Sequence, residues 1–244
     1  MCSDIRSRSP VTIPIPVIYC VGGVISPILA NVYLHYALDL WAERVARPTL
    51  KGEFYMVRYA DDVVFAFQYQ ADAERFATAL RGRLGKFGLH VNEAKTRLIE
   101  FGRFAANHAA GQNRKPATFD FLGFTHSGGQ SRTGRFKVNR RTAATRLRRA
   151  ITRVTAWCRQ HRHLTVPDQW RYLCSALRGH YQYYGLTGNI ASLKSFLAAL
   201  RRVWRQWLDR RSQRGRMSWA RFGQLLLRHP LPAAWLPHSV YRRA

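Results

Sequence analysis

From Ile28 to Trp41 the apolar positions Ile28, Leu29, Val32, Tyr33, Tyr36, Ala37, Leu40 and Trp41 fall at helical spacing. A turn at Gly22-Gly23 precedes them, and Ser26-Pro27 supplies an N-cap and a first-turn proline. Glu53–Tyr59 and Val63–Tyr69 are instead rich in β-branched and aromatic residues. Only Ala60, Asp61 and Asp62 separate these two runs, so the pair predicts a hairpin. Asp72–Phe87 has the pattern of an amphipathic helix that stops at Gly88, and Leu89–Asn92, Thr96–Phe101 and Thr118–Thr125 are short strand candidates. Beyond Ser127–Ser131, a turn-rich stretch, the pattern becomes helical. Asn139 is placed to cap a helix running to about Arg162, with Leu147, Ile151, Val154 and Cys158 on one face. Further helices are predicted from Pro167 to Gly185, from Ile190 to about Arg214 and from Ser218 to Arg228, after which Pro230, Pro232 and Pro237 stop regular structure.

Charge sharpens the division. The 244 residues carry 40 Lys+Arg against 13 Asp+Glu, a net of +27. Residues 1–131 hold 15 basic and 11 acidic side chains, whereas residues 132–244 hold 25 basic and 2 acidic. A half with so few acids needs a polyanion as partner, and nucleic acid is the commonest one. With 47% hydrophobic residues a packed core is expected throughout, which excludes a disordered chain. No apolar run is long enough to span a membrane. Cys2, Cys20, Cys158 and Cys174 lack the spacing of a zinc knuckle or a disulfide framework, so a reducing, cytoplasmic location is expected.

Few residues can carry chemistry. Asp61 and Asp62 are adjacent carboxylates at a hairpin tip, flanked by apolar strands, with only Arg58 nearby to neutralise them. A divalent cation relieves their repulsion, and Mg²⁺ takes one or two carboxylates together with substrate phosphates. The bland alternative is an Asp-Asp turn, since Asp is a common turn residue. In the basic half, the pairs Arg140-Arg141 and Arg148-Arg149, with Arg178, are candidate phosphate contacts, and Tyr181, Tyr183 and Tyr184 are candidates for stacking on bases or for the core. His161-Arg162-His163 is a weak candidate metal pair with no acid or Cys near it in sequence.

Tyr59-Ala60-Asp61-Asp62 resembles the metal-binding box of reverse transcriptases. Gly22-Gly23-Val24-Ile25-Ser26-Pro27-Ile28-Leu29-Ala30-Asn31 resembles the preceding box of group II intron reverse transcriptase/maturases. Gly88-Leu89-His90-Val91-Asn92-Glu93-Ala94-Lys95-Thr96 is similar to the following box, and Phe119-Asp120-Phe121-Leu122-Gly123-Phe124 to the primer grip. Leu177-Arg178-Gly179-His180-Tyr181-Gln182-Tyr183-Tyr184-Gly185 resembles the signature of the maturase thumb. The resemblance implies an α+β chain: a partial palm over 21–131, made of a helix and an antiparallel hairpin sheet, then an α-helical thumb/maturase domain over 132–236 and a tail over 237–244.

The same resemblance implies RNA-directed DNA polymerase chemistry coupled to binding and splicing of an intron RNA. Asp61 and Asp62 would be two of three aspartates of a two-metal Mg²⁺ site. Tyr59, Lys95, Phe121, Leu122 and Gly123 would lie at nucleotide and primer. Arg140, Arg141, Arg148, Arg149, Arg178, His180, Tyr181 and Tyr184 would contact RNA. Partners would be intron RNA and the template-primer duplex, with an N-terminal fragment in trans as a further one and no membrane.

The chain departs from the pattern in three respects. Cys20-Val21 stands where the family has Pro-Gln, residues 1–20 look unrelated to it, and neither Asp4 nor Asp39 has the setting of the third aspartate. The expectation is therefore a truncated fragment whose palm hairpin lacks its neighbouring strand, leaving an aggregation-prone edge. A non-catalytic RNA-binding module and a decayed mobile-element remnant are the alternatives.

Overall fold

In a computed structural model of the chain, residues 9–14 (as backbone), 25–211 and 216–239 are described. Gly22-Gly23, Asp4, Cys2 and Cys20 lie outside them. The described residues combine helices with antiparallel sheets, an α+β arrangement. They form two units, Met1–Leu122 with His126–Val138, and Gly123–Thr125 with Asn139–Ala244.

The first unit is built on a four-stranded sheet of order β2-β3-β1-β4, from β1 (Ser9–Pro14), β2 (Phe54–Tyr59), β3 (Asp62–Phe67) and β4 (Arg97–Leu98). Alternation decides which face is covered. Phe54, Val63, Phe65 and Phe67 are buried, while Tyr55, Val57 and Tyr59 on the other face are exposed. The buried face packs on α2 (Gln70–Gly85), whose Phe76 ring lies 4.8–5.3 Å from those of Phe54, Phe65 and Phe67. The second element of the core is α1 (Ser26–Leu34), which continues through π-helical turns at His35–Asp39 and Ala42–Ala46 to a 3₁₀ turn at Arg47–Thr49. Widened turns leave carbonyls without their usual i+4 donors. Here Arg83 supplies them, with Nε donating to Ala37 O (3.1 Å) and Nη2 to Tyr36 O (3.2 Å).

Several boundaries differ from the sequence pattern, each for a physical reason. Ile28, Leu29, Val32 and Tyr36 share helical spacing yet are exposed, and the core face is Leu34, Ala37, Leu38 and Ala42. The face with Ala37 and Leu38 is the one turned to α2, so the bulkier stripe faces outward. Residues 1–20 were expected to stand apart, and the hairpin to lack a neighbour. Instead β1 pairs antiparallel with β3 from Ser9–Phe67 to Pro14–Asp62, and with β4 at Val11–Leu98 and Thr12–Arg97. A strand interrupted by prolines at both ends escaped the pattern rules. Leu89–Asn92 is irregular rather than a strand.

A second sheet, of order β5-β6-β7, contains β5 (Thr118–Phe121), β6 (Phe124–Gln130) and β7 (Phe136–Thr142). The turn-rich Ser127–Ser131 is therefore largely strand, and Asn139 is in β7 rather than capping a helix. The last border between the units falls at Val138/Asn139. A short helix, α3 (Ala105–Gly111), precedes this sheet.

The second unit is a helical bundle of α4 (Ala144–Gln160), α5 (Val166–Tyr184), α6 (Ile190–Asp209) and α7 (Trp219–Arg228). Thr165 and Ser218 accept from the backbone N–H groups of Asp168 and Arg221 as N-caps. Its core holds Leu173, Leu177, Tyr181, Leu193, Phe196, Trp204 and Phe222. Buried polar groups are paired: Trp204 Nε1 donates to Gln169 Oε1 (2.9 Å), and Gln169 Nε2 to His161 O (2.7 Å). Asn189, fully buried, accepts from Thr142 N–H and donates to Thr142 Oγ1 and Tyr184 O, tying the end of β7 to the start of α6. The proline-rich end is not a loose tail as far as His238. Its N–H donates to Gly185 O (3.1 Å), and Leu186 and His238 form a parallel bridge.

Candidate functional site

The β2–β3 hairpin closes on a two-residue turn, Ala60-Asp61, between the paired Tyr59 and Asp62. Ala60 has φ +53°, and Asp61 is not in the left-handed region. This is the sign pattern of a type II′ turn, whose first position ordinarily takes glycine. A non-glycine residue held there stores strain of about 1–3 kcal/mol, and such strain clusters at functional sites. The turn is held from behind by Arg58. Its Nη1 donates to Ala60 O (3.0 Å) and to Asn31 Oδ1 (2.8 Å). Its Nε and Nη2 donate to Asp39 Oδ1 (2.8 Å) and Oδ2 (2.6 Å), a bidentate pair. The side chains of Arg58 and Asp39 are 14% and 20% exposed.

This clamp changes the electrostatic reading of the sequence. Arg58 neutralises Asp39 and not the Asp61-Asp62 pair, and Asp39 is committed to a structural role. Asp61 is half-buried and makes no hydrogen bond or ion pair among the described residues, and Asp62 is exposed at the start of β3. Other acids of the unit are also occupied: Asp72 accepts from the backbone N–H groups of Lys51 and Gly52, and Glu93 pairs with Arg81. Pro14 is the residue opposite Asp62 on β1, and Ser9–Pro14 contains no carboxylate. Among the described residues no group of three or more His, Cys, Asp or Glu side chains is placed to hold a metal ion. Two adjacent carboxylates fit one Mg²⁺ that completes its shell with water and phosphate oxygens. They do not supply a full two-metal site.

Tyr59 stands on the outward face of β2, 65% exposed, beside the aspartates. Lys95 is exposed in a turn closed by the N–H groups of Lys95 and Thr96 on Asn92 O. Thr12 faces Arg97 and Pro14 faces Asp62, so the start of β4, two residues after Lys95, lies toward the Asp62 end of the sheet. Phe121 ends β5, and Leu122-Gly123 forms the turn into β6 with φ +50° and +78°. Positive φ at both central residues is the type I′ pattern. Gly123 suits it, and a Cβ there would meet Tyr184 Oη at 3.1 Å.

The RNA-contact candidates divide by burial. Arg141, Arg148, Arg149 and Arg178 are exposed and Arg140 half-buried. Two candidates are corrected. Tyr181 is fully buried, its hydroxyl donating to Pro232 O (3.2 Å) and its pKa pushed up to about 12 by burial. His180 is 9% exposed, stacked on Phe196 (4.0 Å), with burial pushing its pKa down to about 4. Neither presents a face to bulk solvent. Tyr184 is half-buried against Phe124 and Tyr183 (5.4 and 4.7 Å between centroids), whereas Tyr183 is 56% exposed. His161 is a packing residue, stacked on Trp157 at 4.6 Å with Nδ1 at Trp157 O (3.0 Å).

Sequence reasoning missed Arg146 and Arg153. Together with Arg149 they form one face of α4, spaced three and four residues apart, and all are exposed. Attention to Arg doublets hid this spacing. The only signal for the Arg58–Asp39 clamp was a charge pair 19 residues apart, which has no periodicity to betray it.

Against known families, residues 12–126 match the model described as reverse transcriptase (RNA-dependent DNA polymerase). The match runs from within β1 to β6 and includes both aspartates of the hairpin. No curated protein matches the chain. No helix among the described residues is long and apolar enough to cross a membrane.

Proposed function

We propose that this chain acts on RNA as a reverse transcriptase/maturase of the group II intron type. Within the segment similar to reverse transcriptases, the observation that carries the reading is the strained turn that holds Asp61 and Asp62 at one end of an antiparallel sheet. Asp61 and Asp62 would hold one Mg²⁺, which when bound supplies charge neutralisation at phosphate oxygens. Arg58 positions the turn, and Tyr59 borders the space in front of it. The helical unit supplies the RNA grip, through arginines that have almost no carboxylates to compete for them: residues 132–244 contain only Asp168 and Asp209 as acids.

A second reading, an RNA-binding splicing cofactor without polymerase chemistry, is supported by the clamp on Asp39 and by the lack, among the described residues, of a group of three or more side chains placed to hold a metal ion. Two measurements separate the readings. In competition binding near physiological salt, the chain is expected to prefer a group II intron RNA over an unrelated folded RNA of equal length, and equal affinity overturns the maturase assignment. Primer extension by the chain on an RNA template with Mg²⁺ tests the polymerase part of the first reading, and no product favours the second. Processive synthesis abolished by Asp61→Ala would establish the first reading and show that an acid outside the described residues completes the site.

A further inference from the structure

The helical unit contains a groove of about 460 Å³ between α4 and α5. Its size lies within the roughly 300–1,000 Å³ of small-ligand sites. One wall is the arginine face of α4: Arg146, Arg149 and Arg153. Seven residues of helix separate the first from the last, about 10.5 Å. No carboxylate lines the groove. The opposite wall is the α5 face carrying Ser175, Gly179 and Tyr183. Gly179 leaves the wall open, since a Cβ there meets nothing within 4 Å. At the floor lies His180, whose Nε2 is buried without a hydrogen-bond partner.

We propose that this groove receives an unpaired nucleotide of single-stranded RNA, and the proposal rests on the reading of the chain as an RNA-acting protein. Phosphates run along Arg146, Arg149 and Arg153, and the base lies against the ring of Tyr183. Each part answers a feature that packing alone leaves unexplained. Three arginines on one helix face with no acid opposite them repel one another unless an anion lies between. An acidic peptide would satisfy the arginines but not the flat aromatic wall. Duplex RNA would meet the phosphate-binding face but could not insert a base.

Fluorescence anisotropy on the full chain tests this with three probes: a ten-nucleotide oligouridylate, a blunt RNA duplex of ten base pairs, and a polyglutamate peptide as competitor. Tyr183→Leu is expected to weaken oligouridylate binding on the order of 5- to 150-fold, to leave duplex binding within about 2-fold, and to be largely rescued in Tyr183→Phe. Gly179→Leu, which fills the groove without altering charge, is expected to weaken the oligouridylate and spare the duplex. Both positions are exposed, so thermal melts should stay near that of the parent. Equal losses on single strand and duplex, or no loss in Gly179→Leu, would overturn the pocket and leave only a phosphate-binding face. Polyglutamate that displaces oligouridylate, with the same dependence on Tyr183 and Gly179, would overturn the RNA assignment in favour of an acidic peptide. No metal, nucleotide or intron RNA enters this assay, so failure here leaves the intron-selectivity result standing, and a non-selective chain can still show the pocket.

Discussion

Replacing Arg58 by Met removes four donated hydrogen bonds: two to Asp39, one to Asn31 and one to the carbonyl of strained Ala60. The dominant loss is the bidentate pair, because it leaves a mostly buried carboxylate with only His35 Nδ1, at 3.4 Å from Asp39 Oδ2, beside it. Breaking a fully buried pair from one side costs about 3–5 kcal/mol. The side chains here are 14% and 20% exposed, so solvent recovers part of that, and the expected cost is about 3 kcal/mol for the first unit. Asp39→Asn keeps the shape and the acceptor oxygen and should cost about 1–2 kcal/mol. The double variant should lose less than the sum, with a coupling energy of about 1–2 kcal/mol. Trp41 is the only tryptophan before residue 157 and packs on Phe76 at 5.3 Å, so ¹⁹F NMR of 5-fluorotryptophan protein in urea reports the first unit alone. If Arg58 instead served the Asp61-Asp62 pair, Asp61→Asn and Arg58→Met would couple. The structure requires them to be additive within about 0.5 kcal/mol. Coupling to Asp61, or a loss below about 1 kcal/mol in Arg58→Met, would refute the clamp.

His180 gives a pH dependence. Its folded pKa of about 4 lies below the unfolded value near 6.5, so the unfolded chain binds more protons between these limits. Its contribution to stability is therefore present above about pH 6.5 and is lost as pH falls to about 4, by up to about 3 kcal/mol. His180→Phe should flatten that part of the stability profile in urea titrations at pH 7 and 4.5, and an unchanged slope would contradict the burial argument. Tyr181→Ala empties a fully buried site and should cost about 3–5 kcal/mol, with RNA affinity falling only as the fold is lost. Calorimetry that finds Tyr181→Ala as stable as the parent would return that residue to the list of RNA contacts.

Local pattern carried the elements whose periodicity was strong. The hairpin around Asp61-Asp62, α2 before Gly88 and the three long helices of the basic half all lie within a few residues of their expected limits, because burial of one face imposes period 2 or 3.6 on the chain itself. Where partners are distant in sequence, pattern carried little. Which stripe of α1 and its continuation is buried depended on where α2 packs, and β1 became a strand because β3 and β4 had donors and acceptors to pair. The same limit governed the site. Adjacent aspartates, the basic half and candidate tyrosines were visible as residue types, and the +27 charge alone directed attention to a polyanion. Which acid is free and which is clamped depended on a guanidinium brought back across 19 residues. Tyr181 and Tyr183, two residues apart, point to opposite faces of α5, and the core and Pro232 cover the face that carries Tyr181. Composition and spacing thus determined the chemistry the chain can offer, while tertiary packing, which sets desolvation and partner distance, decided which of those groups remain available to use it.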